Sequence, residues 1–279
     1  MRARRRRRRL LRWLRRATRR RWVRRLRRTP VAWRLLFGVL LVAGVALAIN
    51  GVYQVARKPT ELFFPVSGVL AKTPQETWRE YGPAFRRYAT PAIAPELLAA
   101  LAQVEGSGNP LVRTYWRWSW EPRPFDLYRP ASSAVGMYQI TDGTFAEARH
   151  YCIHHHALIH DGPWNDWHSC WFNGLYLRVV PRDAIELTAA YLDLKVNAIL
   201  ANDRRHAASA LQRQHLAAVV HLCGAGGAAA YAQRGFRFAD GERCGAHDPR
   251  EYLRRVDAMR EVFTRLAGAE EEARAGAAQ

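Results

Sequence analysis

The sequence predicts a mainly α-helical domain preceded by one N-terminal transmembrane helix. Three observations lead there. Residues 35–53, LLFGVLLVAGVALAINGVY, run 19 positions without a charge. Apolar residues farther along recur at spacings of three and four, the period of one helix face. No segment carries a strong strand signal.

The apolar run comes first in the chain. Its 19 residues would rise about 28 Å as a helix, close to the hydrocarbon thickness of a bilayer. Residues 1–34 hold 18 arginines and no acidic residue, whereas the remaining chain holds 26 basic against 24 acidic residues. The net charge of +20 therefore belongs to the tail, and the body is close to neutral. Arginines crowd one flank only, which places the N-terminus in the cytoplasm and the chain after Tyr53 outside the membrane. The tail then faces anionic lipid headgroups, with Trp13, Trp22 and Trp33 suited to the interface. A basic tail alone would suit nucleic acid. An apolar span after it separates tail and body into two compartments, so no nucleic-acid partner is expected. Ala46-Leu47-Ala48 resembles a signal-peptidase site, but more than thirty residues precede the apolar run, so the helix reads as an uncleaved anchor.

Residues 54–90 read as a linker and lead-in, with Pro59, Pro65, Pro74 and Pro83 and no sustained period. The domain proper is expected over residues 91–268. Pro95 suits the first position of a helix and Glu96 its first turn. Leu98, Leu101 and Glu105 share one face of that helix. Residues 106–135 read as a long loop, and Thr141-Asp142 starts a short helix running to about Tyr151. Residues 152–181 look irregular. Ile185, Ala189, Leu192, Val196 and Ile199 form one helical stripe. Residues 207–222 form another helix, ended by Gly224, Gly226 and Gly227. Asp248 caps a helix with the stripe Tyr252, Val256, Met259, Phe263 and Leu266. Residues 269–279 are expected to be disordered.

Four cysteines, Cys152, Cys170, Cys223 and Cys244, all follow the apolar run. An even number on the exported side suggests two disulfides, and the local pairing Cys152–Cys170 with Cys223–Cys244 closes two modest loops. His150, His154, His155, His156, His160 and His168 cluster near the first pair. No C-x-x-C or H-E-x-x-H spacing accompanies them, so they read as surface or structural residues and no metal is expected. Trp164, Trp167 and Trp171 are expected to pack around the Cys152–Cys170 loop.

Glu105 is the residue that suggests chemistry. A carboxyl group on a core-facing stripe is costly when charged, and desolvation favours its protonated form. A proton held near neutral pH is what a general acid must offer to a glycosidic oxygen. The plainer possibility is a glutamate emerging at a helix end.

The surrounding residues sharpen the choice. Glu105 lies in Ala102-Gln103-Val104-Glu105-Gly106-Ser107-Gly108-Asn109-Pro110. Residues 133–141 read Ser-Ala-Val-Gly-Met-Tyr-Gln-Ile-Thr. Residues 217–226 read Ala-Ala-Val-Val-His-Leu-Cys-Gly-Ala-Gly. In order, these resemble three motifs of the soluble lytic transglycosylase domain, a goose-lysozyme-like fold. The resemblance spans roughly residues 92–235 and is carried by the first two motifs. It implies a lysozyme-like α-helical domain that cleaves peptidoglycan glycan strands without a cofactor, held at the bacterial inner membrane with its catalytic domain in the periplasm. It assigns Glu105 as acid and then base, and Gln139 as the groove glutamine bonding the sugar. Met137 and Tyr138 match the Leu-Met pair beside it, and Gly136 would let the backbone approach the glycan; the plainer alternative makes Met137 and Tyr138 core and Gln139 an exposed polar residue at a helix start.

Three departures stand out. Gly106 occupies the usual serine position, with Ser107 one place later. His221 stands where the family has a tyrosine; it either replaces that hydrogen-bonding partner, leaves the role to Tyr231, or is structural. The segment between the first two motifs is long and aromatic, with Tyr115, Trp116, Trp118, Trp120, Phe125 and Tyr128. The alternation Trp116-Arg117-Trp118-Ser119-Trp120 puts three indoles on one side of a strand, either as a sugar subsite or as cover for the core. A lysozyme-type hydrolase would need a second carboxylate, from Asp126, Glu121 or Asp142.

Overall fold

The computed structural model describes residues 29–63, 67–119, 123, 125–166, 169–202 and 207–277. The arginine-rich residues 1–28, with Trp13 and Trp22, lie outside these, as do Pro65, Trp120, Glu121, Trp167 and His168. The described chain is mainly helical. It divides into two compact units, Met1–Arg57 with Arg117–Arg129, and Lys58–Trp116 with Pro130–Gln279.

In the first unit, α1 (Val31–Arg57) is long and apolar enough to cross a membrane. Its 27 residues span about 40 Å. Its apolar side chains are exposed, Leu35, Phe37 and Val42 among them. Asn50 and Gln54 are instead buried, and both hydrogen-bond into the segment 117–129.

The second unit is built from six helices among its described residues. α2 (Pro74–Tyr88) occupies part of the stretch expected to be a linker. Thr73 and Glu76 form a reciprocal capping box at its start. Its buried face carries Trp78, Tyr81, Phe85 and Tyr88, a helical stripe partly hidden by Pro83. Pro83 is exposed, so the main-chain bond that it removes is lost on the solvent side. α3 (Pro95–Gly106) begins at the expected proline, with Leu98 and Leu101 fully buried.

The segment expected to be one loop contains a short pair of strands, β1 (Trp116–Trp118) and β2 (Tyr128–Pro130). Thr141 caps α4 (Asp142–Ala148), which stops before the expected Tyr151. Tyr151 instead opens β3 (Tyr151–His154), antiparallel to β4 (Ala157–His160) within the stretch expected to be irregular. His155 and His156 make the two-residue turn, both at positive φ (48° and 64°), as a tight hairpin whose twist matches its strands requires.

α5 (Pro181–Asn202) buries Ile185, Ala189, Leu192 and Val196 of the expected stripe, with Ile199 partly buried. α6 (Ala210–Gln233) passes Gly224, where the sequence suggested its end. Gly224 sits at φ 71°, ψ 176°, so the chain breaks there and then resumes helical turns. Length and apolarity would also let α6 cross a membrane, but 44% of its apolar window is buried in the domain. α7 (Pro249–Ala277) is capped by Asp248, whose Oδ1 accepts from the main-chain N–H groups of Arg250 (2.8 Å) and Glu251 (3.3 Å). It continues through most of the segment expected to be disordered. There Glu270 accepts from Trp78 Nε1 (3.0 Å) and Arg86 Nη1 (2.9 Å), which fixes the late turns of α7 to α2. The most extensive helix pairings are α3 on α7 and α5 on α6.

Both disulfides follow the local pairing, with Cα–Cα distances of 5.4 Å for Cys152–Cys170 and 5.0 Å for Cys223–Cys244. Trp171 stacks on Phe172 beside the first, but Trp164, expected to pack there, is 79% exposed.

Candidate active site

α3 delivers Glu105 to its last turn, one residue before Gly106. Ser107 then turns left-handed at φ 51°, and its N–H bonds back to the Ala102 and Gln103 carbonyls. Its side chain is exposed and no contact places it on Glu105. Position 106 has no room for a side chain. A Cβ on Gly106 would lie 2.8 Å from the Cα and carbonyl oxygen of Met137, so the end of α3 rests directly on the main chain of the second motif.

That second motif is a tight loop. Val135 and Ile140 exchange main-chain hydrogen bonds (3.1 and 3.0 Å), with Gly136 at φ 76° and Gln139 at φ 50° between them. A Cβ on Gly136 would meet the Arg178 carbonyl at 2.3 Å, so this glycine makes room for the domain's own backbone. Met137 and Tyr138 are fully buried, and Tyr138 donates to the Leu98 carbonyl of α3 at 3.0 Å. The structure corrects their expected place: they are core residues that seat the loop beneath α3. Gln139, unlike its neighbours Met137 and Tyr138, is partly exposed. Its amide donates to the carbonyls of Gly136 (2.9 Å) and Val112 (3.3 Å).

Gln139 and His221 line the same cleft, of about 240 Å³, together with Thr141, Thr144, Thr188 and Tyr191. Leu187, Val220 and Leu222 give it an apolar side. Thr188 is buried on α5 with its hydroxyl unpaired among the described residues. His221 joins this cleft to the glutamate: its Nε2 lies 3.7 Å from Glu105 Oε1. Burial lowers the His221 pKa; the neighbouring Glu105 and a hydrogen bond to the Tyr138 carbonyl oppose that shift without overcoming it. Burial thus favours the neutral form of the imidazole that stands beside Glu105.

The closest partner of Glu105 comes from α7. Tyr252 donates its hydroxyl to Glu105 Oε1 at 2.7 Å and is 6% exposed. Burial, then the glutamate's charge, hold the Tyr252 pKa well above the ordinary value, so the phenol stays a donor. The stripe Tyr252, Val256 and Phe263 marks this residue as core, and nothing in the sequence points its hydroxyl at residue 105. Tyr231, the expected alternative, packs against Phe236 and Phe238 instead. The Glu105 side chain is 20% exposed, and its Oε2 has no hydrogen-bond partner among the described residues. One oxygen is held and the other is open, an arrangement able to give and take a proton at the domain surface.

The other expected positions lie elsewhere. Trp116 donates its indole N–H to Glu61 at 2.8 Å, inside a buried group where Glu61 also meets Arg113 and Lys58 (both 3.2 Å). Trp118 belongs to the other unit, is 60% exposed, and leans on Tyr128 with ring centroids 4.9 Å apart. Of the candidate second carboxylates, Asp126 is buried in that unit with Gln54, Arg57 and Arg129. Asp142 is exposed and pairs with Arg178 at 2.7 Å. Among the described residues no three His, Cys, Asp or Glu side chains gather as a metal site. Cys223 follows His221 by two residues, and its bridge to Cys244 ties down the middle of α6 beside the Gly224 break.

No protein-family model matches the chain, and no curated protein matches it.

Proposed function

We propose that this chain is a membrane-anchored lytic transglycosylase acting on peptidoglycan, with a lysozyme-like domain on the periplasmic side. The observation that carries the reading is Glu105: a half-buried carboxyl group with one oxygen held by Tyr252 and the other open, at the junction of the first two motifs. Gln139 and His221 in the adjoining cleft supply polar contacts for a sugar, and the apolar side suits its C–H surface.

In this mechanism neutral Glu105 protonates the oxygen linking N-acetylmuramic acid to N-acetylglucosamine. The C1–O bond breaks, and the substrate's acetamido oxygen stabilises the positive charge at C1. Glu105, now a carboxylate, takes the proton from the muramic C6 hydroxyl. That oxygen bonds to C1, which closes a 1,6-anhydro ring. Tyr252 holds the carboxyl group through both proton transfers. The anchor keeps the enzyme beside an insoluble substrate.

Product analysis on purified sacculi tests this. Wild type is expected to release anhydro ends and Glu105→Gln none. Products heavier by about 18 Da, bearing a reducing end, would mean hydrolysis. Full activity in Glu105→Gln would rule out the assignment, and binding to sacculi without release by wild type would leave a scaffold.

A further inference from the structure

The aromatic segment between the first two motifs is not needed for the site described above, and its contacts run to α1. Asn50 donates to the Tyr128 carbonyl at 2.6 Å. Gln54, one turn on, donates to the Phe125 carbonyl (2.8 Å) and to Asp126 (2.9 Å). Tyr53 packs on Phe125 with ring centroids 5.4 Å apart, and Arg57 lies 3.6 Å from Asp126. Four residues of the last two turns of α1 therefore clasp this one segment.

The level of the clasp is informative. From Leu35, where the uncharged run begins, to Tyr53 between the two amides, the helix rises about 27 Å, close to one hydrocarbon thickness. Amide side chains facing lipid at that depth would be costly, and here their donors are taken up by the segment. The segment also leaves Trp118 (60% exposed), Phe125 (45%) and Leu127 (45%) partly open, with Arg117 and Arg129 beside them in the chain. Exposed indole and phenyl rings flanked by arginine, one hydrocarbon thickness along a spanning helix, have the composition of a membrane interface.

We propose that the described residues of 117–129 form a plate that seats in the lipid headgroup region, in the leaflet at the C-terminal end of α1. The plate lengthens the anchor sideways and fixes the depth at which the helix stops. The proposal rests on α1 spanning the membrane, and its test separates the two.

Full-length protein is placed in vesicles of phosphatidylethanolamine and phosphatidylglycerol, with bromine on the acyl chains near the headgroups. The fluorescence difference between wild type and Trp118→Phe isolates Trp118. The expected result is loss of Trp118 emission to the brominated lipid and little loss to aqueous iodide. Asn50→Leu with Gln54→Leu, which removes the clasp, is expected to reverse that order while the protein still floats with vesicles after an alkaline carbonate wash. Trp118 quenched by iodide and untouched by bromolipid, in protein that floats, would overturn the plate and leave the anchor standing. Protein that fails to float would overturn both.

Discussion

Two glutamates of the second unit look alike in sequence and differ in what surrounds them. Glu186 on α5 and Glu105 on α3 each sit on a core-facing helix, and each accepts a tyrosine hydroxyl, from Tyr176 at 2.8 Å and Tyr252 at 2.7 Å. Glu186 is 4% exposed, and its second oxygen is also taken, by the Ile153 main-chain N–H at 3.1 Å. With both oxygens engaged it fastens the disulfide-bearing hairpin to α5, at the wall of a separate cleft of about 330 Å³. Glu105 keeps one oxygen open and part of its surface in solvent. Burial together with a hydrogen bond therefore does not tell the two glutamates apart; the uncommitted oxygen of Glu105 does.

The sharpest way to break this contrast is to remove each carboxylate. Glu105→Gln should lower cleavage by about 10²–10⁴-fold, the usual worth of a general acid. The amide still accepts from Tyr252, so urea unfolding should shift by no more than about 1 kcal/mol. Glu186→Ala should do the opposite. It leaves the Ile153 N–H and the Tyr176 hydroxyl unpaired in the interior, a loss of about 2–4 kcal/mol in unfolding experiments. If Glu186→Ala lost activity at full stability, the two roles would have to be exchanged.

Tyr252→Phe comes next. Losing a hydrogen bond to a group that becomes charged should slow cleavage by about 10–100-fold. Stability should fall by only about 1 kcal/mol. Turnover equal to wild type would make Tyr252 a packing residue like Tyr176. The smallest effect concerns His221. Its folded pKa is lowered by burial, whereas the unfolded chain binds a proton near the ordinary value of 6.5. The stability tied to neutral His221 is present above about pH 6.5 and is lost as pH falls toward the lowered folded value. His221→Leu should flatten that acid-side decline in Tm, which melting curves from pH 7 downward would check.

The parts of the fold legible in the sequence were those with local signals. Pro95 and Asp248 mark real helix starts, the α5 stripe is the buried face, and the cysteines close their nearer loops. What stayed hidden depends on partners distant in sequence. Glu105 was visible from its phase on α3, but Tyr252 lies 147 positions away and reads as one more apolar contact. Met137 and Tyr138 carry a motif yet face the core, because the main chain of Met137 rests on Gly106. The α2 stripe was masked by Pro83, whose cost is small only because that face of the helix is wet. The late turns of α7 have a weak apolar pattern, and they hold through Glu270 and its bonds to α2.

That last helix sets a constraint on how the gene can change. Tyr252 reaches Glu105 and Glu270 reaches Trp78 and Arg86, from positions 18 residues apart on one α-helix. Eighteen residues make about five full turns at 3.6 residues per turn, so both side chains leave the same side of the rod. Gaining or losing a single codon between them would rotate one against the other by about 100°. Substitutions on the outer face of α7 should therefore accumulate freely, while its reading length between these two residues stays fixed.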